Sequence, residues 1–126
     1  MGFDWFAFLD LAELLGDSQN THSVHLEAER RSSISRAYYA AFCGLRDYCK
    51  RNLGYSSSAS SSDHKELRDF LKTVGYSRLA SLLHDLRVSR NNADYDAVVT
   101  NLNLMRNRSL KRARKIRSFV ETGRLP

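Results

Sequence analysis

Residues 34–49 read ISRAYYAAFCGLRDYC. Ile34, Ala37, Tyr38, Ala41, Leu45, Tyr48 and Cys49 recur there at steps of three, one, three, four, three and one. That spacing returns to one side of a 3.6-residue helix and marks a core-facing stripe. Working outward, the helix extends over about 24–53 and stops at Gly54. The flanking segments follow the same period. Trp5, Phe8, Leu9, Ala12 and Leu15 share one face of a first helix over 4–15, which Gly16 ends. A polar linker over 17–23 separates the two.

Downstream of Gly54 the run YSSSASSS (55–62) reads as a polar loop. Asp63 and Glu66 stand at capping-box spacing for a third helix that ends at Gly75. Ser77 opens a fourth helix with the stripe Leu79, Leu82, Leu83 and Leu86. Asp94 or Asp96 caps a fifth, whose stripe is Val98, Val99, Leu102, Met105, Ala113, Ile116, Phe119 and Val120. The single proline, Pro126, is the final residue, so no helix interior carries a breaker. The expectation is one all-α domain over 1–126, an up-and-down bundle of about five helices.

Composition narrows the function classes. The opening MGFDWFAFLDLAELL lacks a basic leader and carries acids, so it does not read as a signal peptide. No apolar run reaches the ~18 residues of a membrane span. Cys43 and Cys49 fall on one helix, about 9 Å apart, too far for a bridge within it. These features predict a soluble, cytoplasmic protein without membrane association.

The formal charge of +6 conceals an asymmetry: residues 1–29 hold six acids and no Lys or Arg, whereas residues 97–126 hold eight bases and one acid. Arg106, Arg108, Lys111, Arg112, Arg114, Lys115 and Arg117 crowd into twelve positions. Such a face attracts a phosphate backbone or an acidic partner surface; the plainer alternative is a solvated helix.

Two segments hold candidate chemistry. In Ser35-Arg36-Ala37-Tyr38-Tyr39-Ala40, periodicity accounts for Ala37 and Tyr38 but not for an arginine followed by adjacent tyrosines. A buried phenol needs a hydrogen-bond partner, so a polar network is expected around Tyr38 and Tyr39. Arg36 projects away from the core stripe, toward solvent, another helix or another subunit. In Leu86-Arg87-Val88-Ser89-Arg90-Asn91-Asn92-Ala93-Asp94-Tyr95-Asp96, Arg90 continues the Leu86 stripe if the fourth helix persists that far. A charge there must be paired or used. Asp94 and Asp96 could pair with Arg90 or with Arg36. Two readings stand: Arg90 as an anion contact at a helix junction, or as a structural tie to an aspartate.

Other chemistry finds little support. His22 and His25 have no cysteine pair beside them, and His64 and His84 are isolated, so each reads as a surface or satisfied histidine and no metal is expected. No phosphate-cradling glycine loop or nucleophile elbow is present, and no cofactor is expected.

Taken together, Arg31, Ser33, Ser35, Arg36, Ala37, Tyr38, Tyr39, Ala40 and Phe42, followed by Arg90, Ala93, Asp94, Tyr95 and Asp96, resemble the small stand-alone branch of the HEPN superfamily. The resemblance implies a helical bundle, commonly dimeric, and in many members a metal-independent endoribonuclease encoded beside a nucleotidyltransferase antitoxin. It implies that Arg90, Asn91 and Tyr95 occupy the catalytic region, with Arg36 and Arg90 on phosphate. Tyr38, Tyr39, Asp94 and Asp96 support them, while the basic run, by its charge alone, adds Arg108, Lys111, Arg114 and Lys115 as expected phosphate or nucleic-acid contacts. The family signature places a histidine four to six residues beyond the arginine; here Tyr95 stands in that range. A phenol with an ordinary pKa near 10 is a poor proton carrier at neutral pH. The resemblance thus carries two functional expectations: an RNA-directed, toxin-like or defence-associated protein, or a non-catalytic module that binds nucleotide or a nucleotidyltransferase partner.

Overall fold

The computed structural model describes residues 2–17, 23–58, 60 and 62–126, positions 23 and 24 by their backbone alone. It is an all-α helical bundle. Five helices follow in order, α1 (Ala7–Leu14), α2 (Ser23–Asn52), α3 (Asp63–Thr73), α4 (Ser77–Tyr95) and α5 (Leu102–Thr122), with no strand among the described residues. No helix among them is long and apolar enough to cross a membrane. Of the expected linker over 17–23, positions 18–22, and His22 with them, lie outside the described residues.

The long helix α2 is the spine. Its stripe of Ile34, Ala37, Tyr38, Ala41, Leu45 and Cys49 is fully buried, and α1, α4 and α5 pack around it. Side-chain contacts set the directions. Arg31 meets Ala93 and Asp96, Ser35 meets Asp94, and Tyr39 meets Arg90, so α4 descends as α2 climbs. Ser33 contacts Arg106 and Tyr48 contacts Phe119, so α5 climbs with α2. The serine loop carries the chain back toward the middle of α2, where the His64 ring stacks 4.2 Å from Phe42 between centroids. From there α3 packs against α4.

One glycine marks a close approach. A Cβ on Gly44 would fall 2.5 Å from Cζ of Phe6, so α1 seats its leading aromatic directly on the backbone of α2.

Several boundaries differ from the sequence expectation. The first helix begins at Ala7, because Asp4 Oδ1 accepts the Phe6 N–H at 3.0 Å in a turn of its own. Neither Asp94 nor Asp96 caps α5. Instead α4 runs on through both Asp94 and Tyr95, and Asp96 ends it in extended backbone. Arg31 stabilises this longer helix by donating to the carbonyls of Ala93 (2.9 Å), Asp96 (2.6 Å) and Ala97 (3.2 Å), a cation on the negative end of the dipole. Asn101, in the left-handed region at φ 55°, then turns the chain into α5. Val98, which the expected stripe included, is 81% exposed.

The capping box also dissolves. Asp63 accepts the Tyr55 and Ser57 hydroxyls, and Glu66 accepts those of Ser58 and Ser62, so both carboxylates tie down the serine loop rather than the first turn of α3. Ser77 is the first helical residue of α4, and the residue at its N-cap, Tyr76, makes no side-chain capping hydrogen bond.

Candidate functional site

The acidic beginning and basic end of the chain meet one another. Arg114 pairs with Glu13 at 2.7 Å, and Arg117 with Asp10 at 2.7 Å, both across the α1–α5 contact. Arg106 goes further inside. It is 7% exposed, and its guanidinium donates to the carbonyls of Leu15 (2.8 Å) and Glu13 (2.9 Å) and to Ser33 Oγ (3.1 Å). It therefore closes the C-terminal end of α1 as Arg31 closes that of α4.

The remaining bases face α4. Arg78, Arg108, Lys111, Arg112 and Lys115 line a cleft of about 280 Å³ between α4 and α5, with Asp85 as its only acid. A second cleft of about 410 Å³ continues from Asp85, Arg108 and Arg112 toward Val88, Leu104 and Met105. Arg112 lies 3.9 Å from Asp85, whereas no carboxylate among the described residues pairs with Arg78, Arg108, Lys111 or Lys115. Of the four α5-helix residues expected on RNA, Arg108, Lys111 and Lys115 thus share a groove, and Arg114 sits apart, paired with α1.

Arg90 lies on the other side of α4, against α2. Its side chain is 17% exposed. Nη2 donates to the Tyr39 hydroxyl at 2.6 Å and Nη1 to Asn91 Oδ1 at 2.9 Å. Its Cζ lies 5.1 Å from the Tyr39 ring centroid and 5.4 Å from that of Tyr95, so both aromatics hold the cation. Nε is 3.0 Å from Asp94 Oδ2 but makes no hydrogen bond, so this contact is coulombic rather than a directed bond. Asp94 also accepts the Ser35 hydroxyl at 3.2 Å. Tyr95 is 72% exposed and Tyr39 36% exposed, so the aromatic frame opens outward.

The structure therefore assembles Arg90, Asn91, Asp94, Tyr95 and Tyr39 in one cluster. Arg36 stands apart, exposed and with its Cζ 5.4 Å from the Phe8 ring centroid on the α1 side. Asp96 contributes its main-chain carbonyl to Arg31. Tyr38 is fully buried and meets Nδ1 of His64.

His64 had no signal of its own in the sequence: it is 26 residues from Tyr38, at no motif spacing. Burial lowers its imidazole pKa below the ordinary 6.5; the charge of Arg87 adds to the effect, Asp63 opposes it, and Arg90 and Arg68 add less. Burial pushes the Tyr38 phenol well above its ordinary range, so it remains a hydrogen donor. Burial also raises the Cys49 thiol to about 11, which makes it an inert core residue. Among the described residues no group of three His, Cys, Asp or Glu side chains is placed to hold a metal ion.

No protein-family model matches the chain. No solved structure matches it either. An uncharacterized protein of Methanocaldococcus jannaschii is 33% identical to it in an alignment of 109 residues, which takes in 75% of this chain and 64% of that protein. The chain thus spans somewhat under two thirds of its relative's length.

Proposed function

We propose that the chain is a HEPN-type, RNA-directed protein of toxin-like or defence-associated character, which grips a phosphate of RNA through Arg90. The reading is carried by one observation: the Arg90 guanidinium is clasped by Tyr39 and Tyr95 at the surface. Stacking and the Tyr39 hydroxyl hold the planar fork in place without neutralising it, and a single carboxylate lies beside it. A guanidinium held this way presents donors to an anion, while an exposed tyrosine offers a face on which a base can stack. The unpaired bases of the α4–α5 groove add a second attraction for the RNA backbone. Two copies of the chain, paired as the resemblance implies, would bring two Arg90–Tyr95 sets to one RNA.

Tyr95 favours binding over turnover. Its largely exposed ring lies over the Arg90 guanidinium and offers a stacking surface, and a phenol carries protons less readily at neutral pH than the histidine of the family signature. The non-catalytic alternative, a module for nucleotide or for a nucleotidyltransferase partner, rests on this same observation.

Fluorescence anisotropy with labelled single-stranded RNA tests the proposal, with size-exclusion and an EDTA-tolerant cleavage assay on the same fractions. Arg90→Gln is expected to weaken binding at least about tenfold and to reduce its salt dependence. Unchanged affinity in that variant would refute the assignment. Cleavage in EDTA by the wild type, lost with Arg90→Gln, would establish an endoribonuclease; binding without cleavage would favour the module.

A further inference from the structure

Cations line up along single faces of adjacent helices. On α5, Arg108, Lys111, Arg112 and Lys115 recur at steps of three, one and three, the same period that elsewhere buries an apolar stripe. On α3, Arg68 and Lys72 stand four residues apart and share a face. The α5 row meets Arg78 and Asp85 of α4 in the α4–α5 groove. Beside that groove a cleft of about 240 Å³ opens between α3 and α4, lined by Arg68, Lys72, Ser81, His84 and the same Asp85. The two clefts meet at Asp85, so the basic surface continues from α5 across α4 to α3.

The α3–α4 cleft holds donors that lack acceptors. Neither Arg68 nor Lys72 has an ion pair among the described residues. One terminal nitrogen of Arg68 meets Nδ1 of His84. A guanidinium only donates, so the imidazole accepts there, is neutral, and carries its proton on Nε2 as a further donor. The Nε of Arg68 is buried without an acceptor. Such a donor is uncommon, and an anion held against Arg68 would supply what the protein does not.

The lining favours nucleic acid over a protein partner. The α3–α4 cleft has no apolar side chain larger than Ala80, and the basic part of the α4–α5 groove adds only the buried Leu82. Val88, Leu104 and Met105 belong to the other end of that groove. A protein partner draws its affinity from apolar anchors in desolvated pockets, which these two clefts do not offer. A phosphodiester strand needs only ordered cations and donors. Asp85 is the single carboxylate of both clefts; it is 52% exposed, and Arg112 lies 3.9 Å from it, beyond hydrogen-bond reach.

We propose that the RNA backbone crosses α4 at Asp85, passing from the α4–α5 groove to Arg68, Lys72 and His84, and that Asp85 repels the strand at the crossing. The inference rests on the reading of the chain as RNA-directed and adds the path of the strand over α3. Phosphates settle on either side of the crossing, where cations stand without carboxylates. The carboxylate between them opposes the nearest phosphate and limits affinity.

The test is fluorescence anisotropy of the full chain with a labelled oligouridylate of about sixteen nucleotides, over a series of salt concentrations. Arg68→Gln and the fully exposed-site variant Lys72→Gln should each weaken binding about three- to tenfold. Each should also lower the slope of log affinity against log salt by about 0.7, the share of one single-strand phosphate. Asp85→Asn should tighten binding about two- to fivefold, a gain that misfolding cannot produce. Lys65→Gln removes one charge from α3 at an exposed pair with Asp69 and should change neither affinity nor slope. Inorganic polyphosphate should displace the RNA more effectively than polyglutamate of equal charge. Unchanged affinity in both Arg68→Gln and Lys72→Gln, with binding still lost in Arg90→Gln, would overturn the path and leave Arg90 in place. Loss in Lys72→Gln with none in Arg90→Gln would support the path and remove Arg90 from it. Weaker binding by Asp85→Asn would overturn the repulsive role and make Asp85 an anchor for Arg112. Equal loss in Lys65→Gln would overturn the path as a general charge effect, and equal displacement by polyglutamate would overturn it in favour of an acidic protein surface. Absence of any RNA binding by the wild type would sink the path and the Arg90 contact together.

Discussion

Arg90 lies across the ring of Tyr39, its Cζ 5.1 Å from the centroid, and donates to the same residue's hydroxyl at 2.6 Å. One tyrosine on α2 thereby orients an arginine on α4 through both its face and its oxygen. The orientation depends on the antiparallel register of the two helices, and that register in turn depends on residues distant from the site.

Tyr39→Phe separates the two contacts. The ring remains and the hydrogen bond is lost, so the guanidinium keeps its place but gains rotational freedom. RNA affinity is expected to fall about three- to tenfold, near the ~1 kcal/mol of one such bond, with little change in stability. Anisotropy and a denaturation curve on the same sample check both halves. Tyr39→Ala, which removes the ring as well, should weaken binding further.

Arg31→Gln is expected to loosen the end of α4. The side chain holds the carbonyls of Ala93, Asp96 and Ala97, and it is partly solvated, so the global cost should be modest, about 1–2 kcal/mol. Hydrogen exchange should accelerate chiefly over 93–97 while the centre of α2 stays protected. Uniform acceleration throughout the bundle would contradict a local capping role.

Arg106→Met tests the buried arginine at the end of α1. It removes the donor for the main-chain carbonyls of Ala12, Glu13 and Leu15 and for Ser33 Oγ, in a nearly buried site. A loss of about 2–4 kcal/mol is expected, read as a lower denaturant midpoint at unchanged slope. Arg108→Met, from the exposed groove a little over half a turn away, should cost under ~0.5 kcal/mol while reducing RNA affinity.

The depressed His64 pKa gives stability a definite pH dependence. Above the unfolded pKa, near 6.5, the ring is neutral in both states and its burial carries no charge penalty. As the pH falls below that value the unfolded chain takes up a proton that the folded chain resists, so stability declines until the folded pKa is passed. Urea midpoints should therefore drop between about pH 7 and pH 5, and His64→Gln should flatten this decline. An equally steep decline in His64→Gln would assign the effect to other groups.

The five helices and their apolar faces were legible in the chain because they depend on near neighbours: residues three and four apart meet on a helix whatever surrounds it. The Arg90–Asp94 pair, at i and i+4, belongs to the same class of information. The end of α4 did not, because Arg31 supports it from a helix more than sixty residues away. Nor did the division of the basic run. Arg106 is buried, Arg114 and Arg117 pair with α1, and Arg108 and Lys111 stay open, yet all five stand within twelve positions of similar composition. Only the packing of α1 against α5 separates them.

The sequence by itself determined which segments are helical and which faces turn inward, since backbone hydrogen bonding and apolar periodicity are short-ranged. Tertiary structure alone decided that Tyr39 holds Arg90, that His64 reaches Tyr38, and which positive charges remain unpaired. Those outcomes follow from the register between helices, which arises when distant side chains compete for the same buried space and the same acceptors.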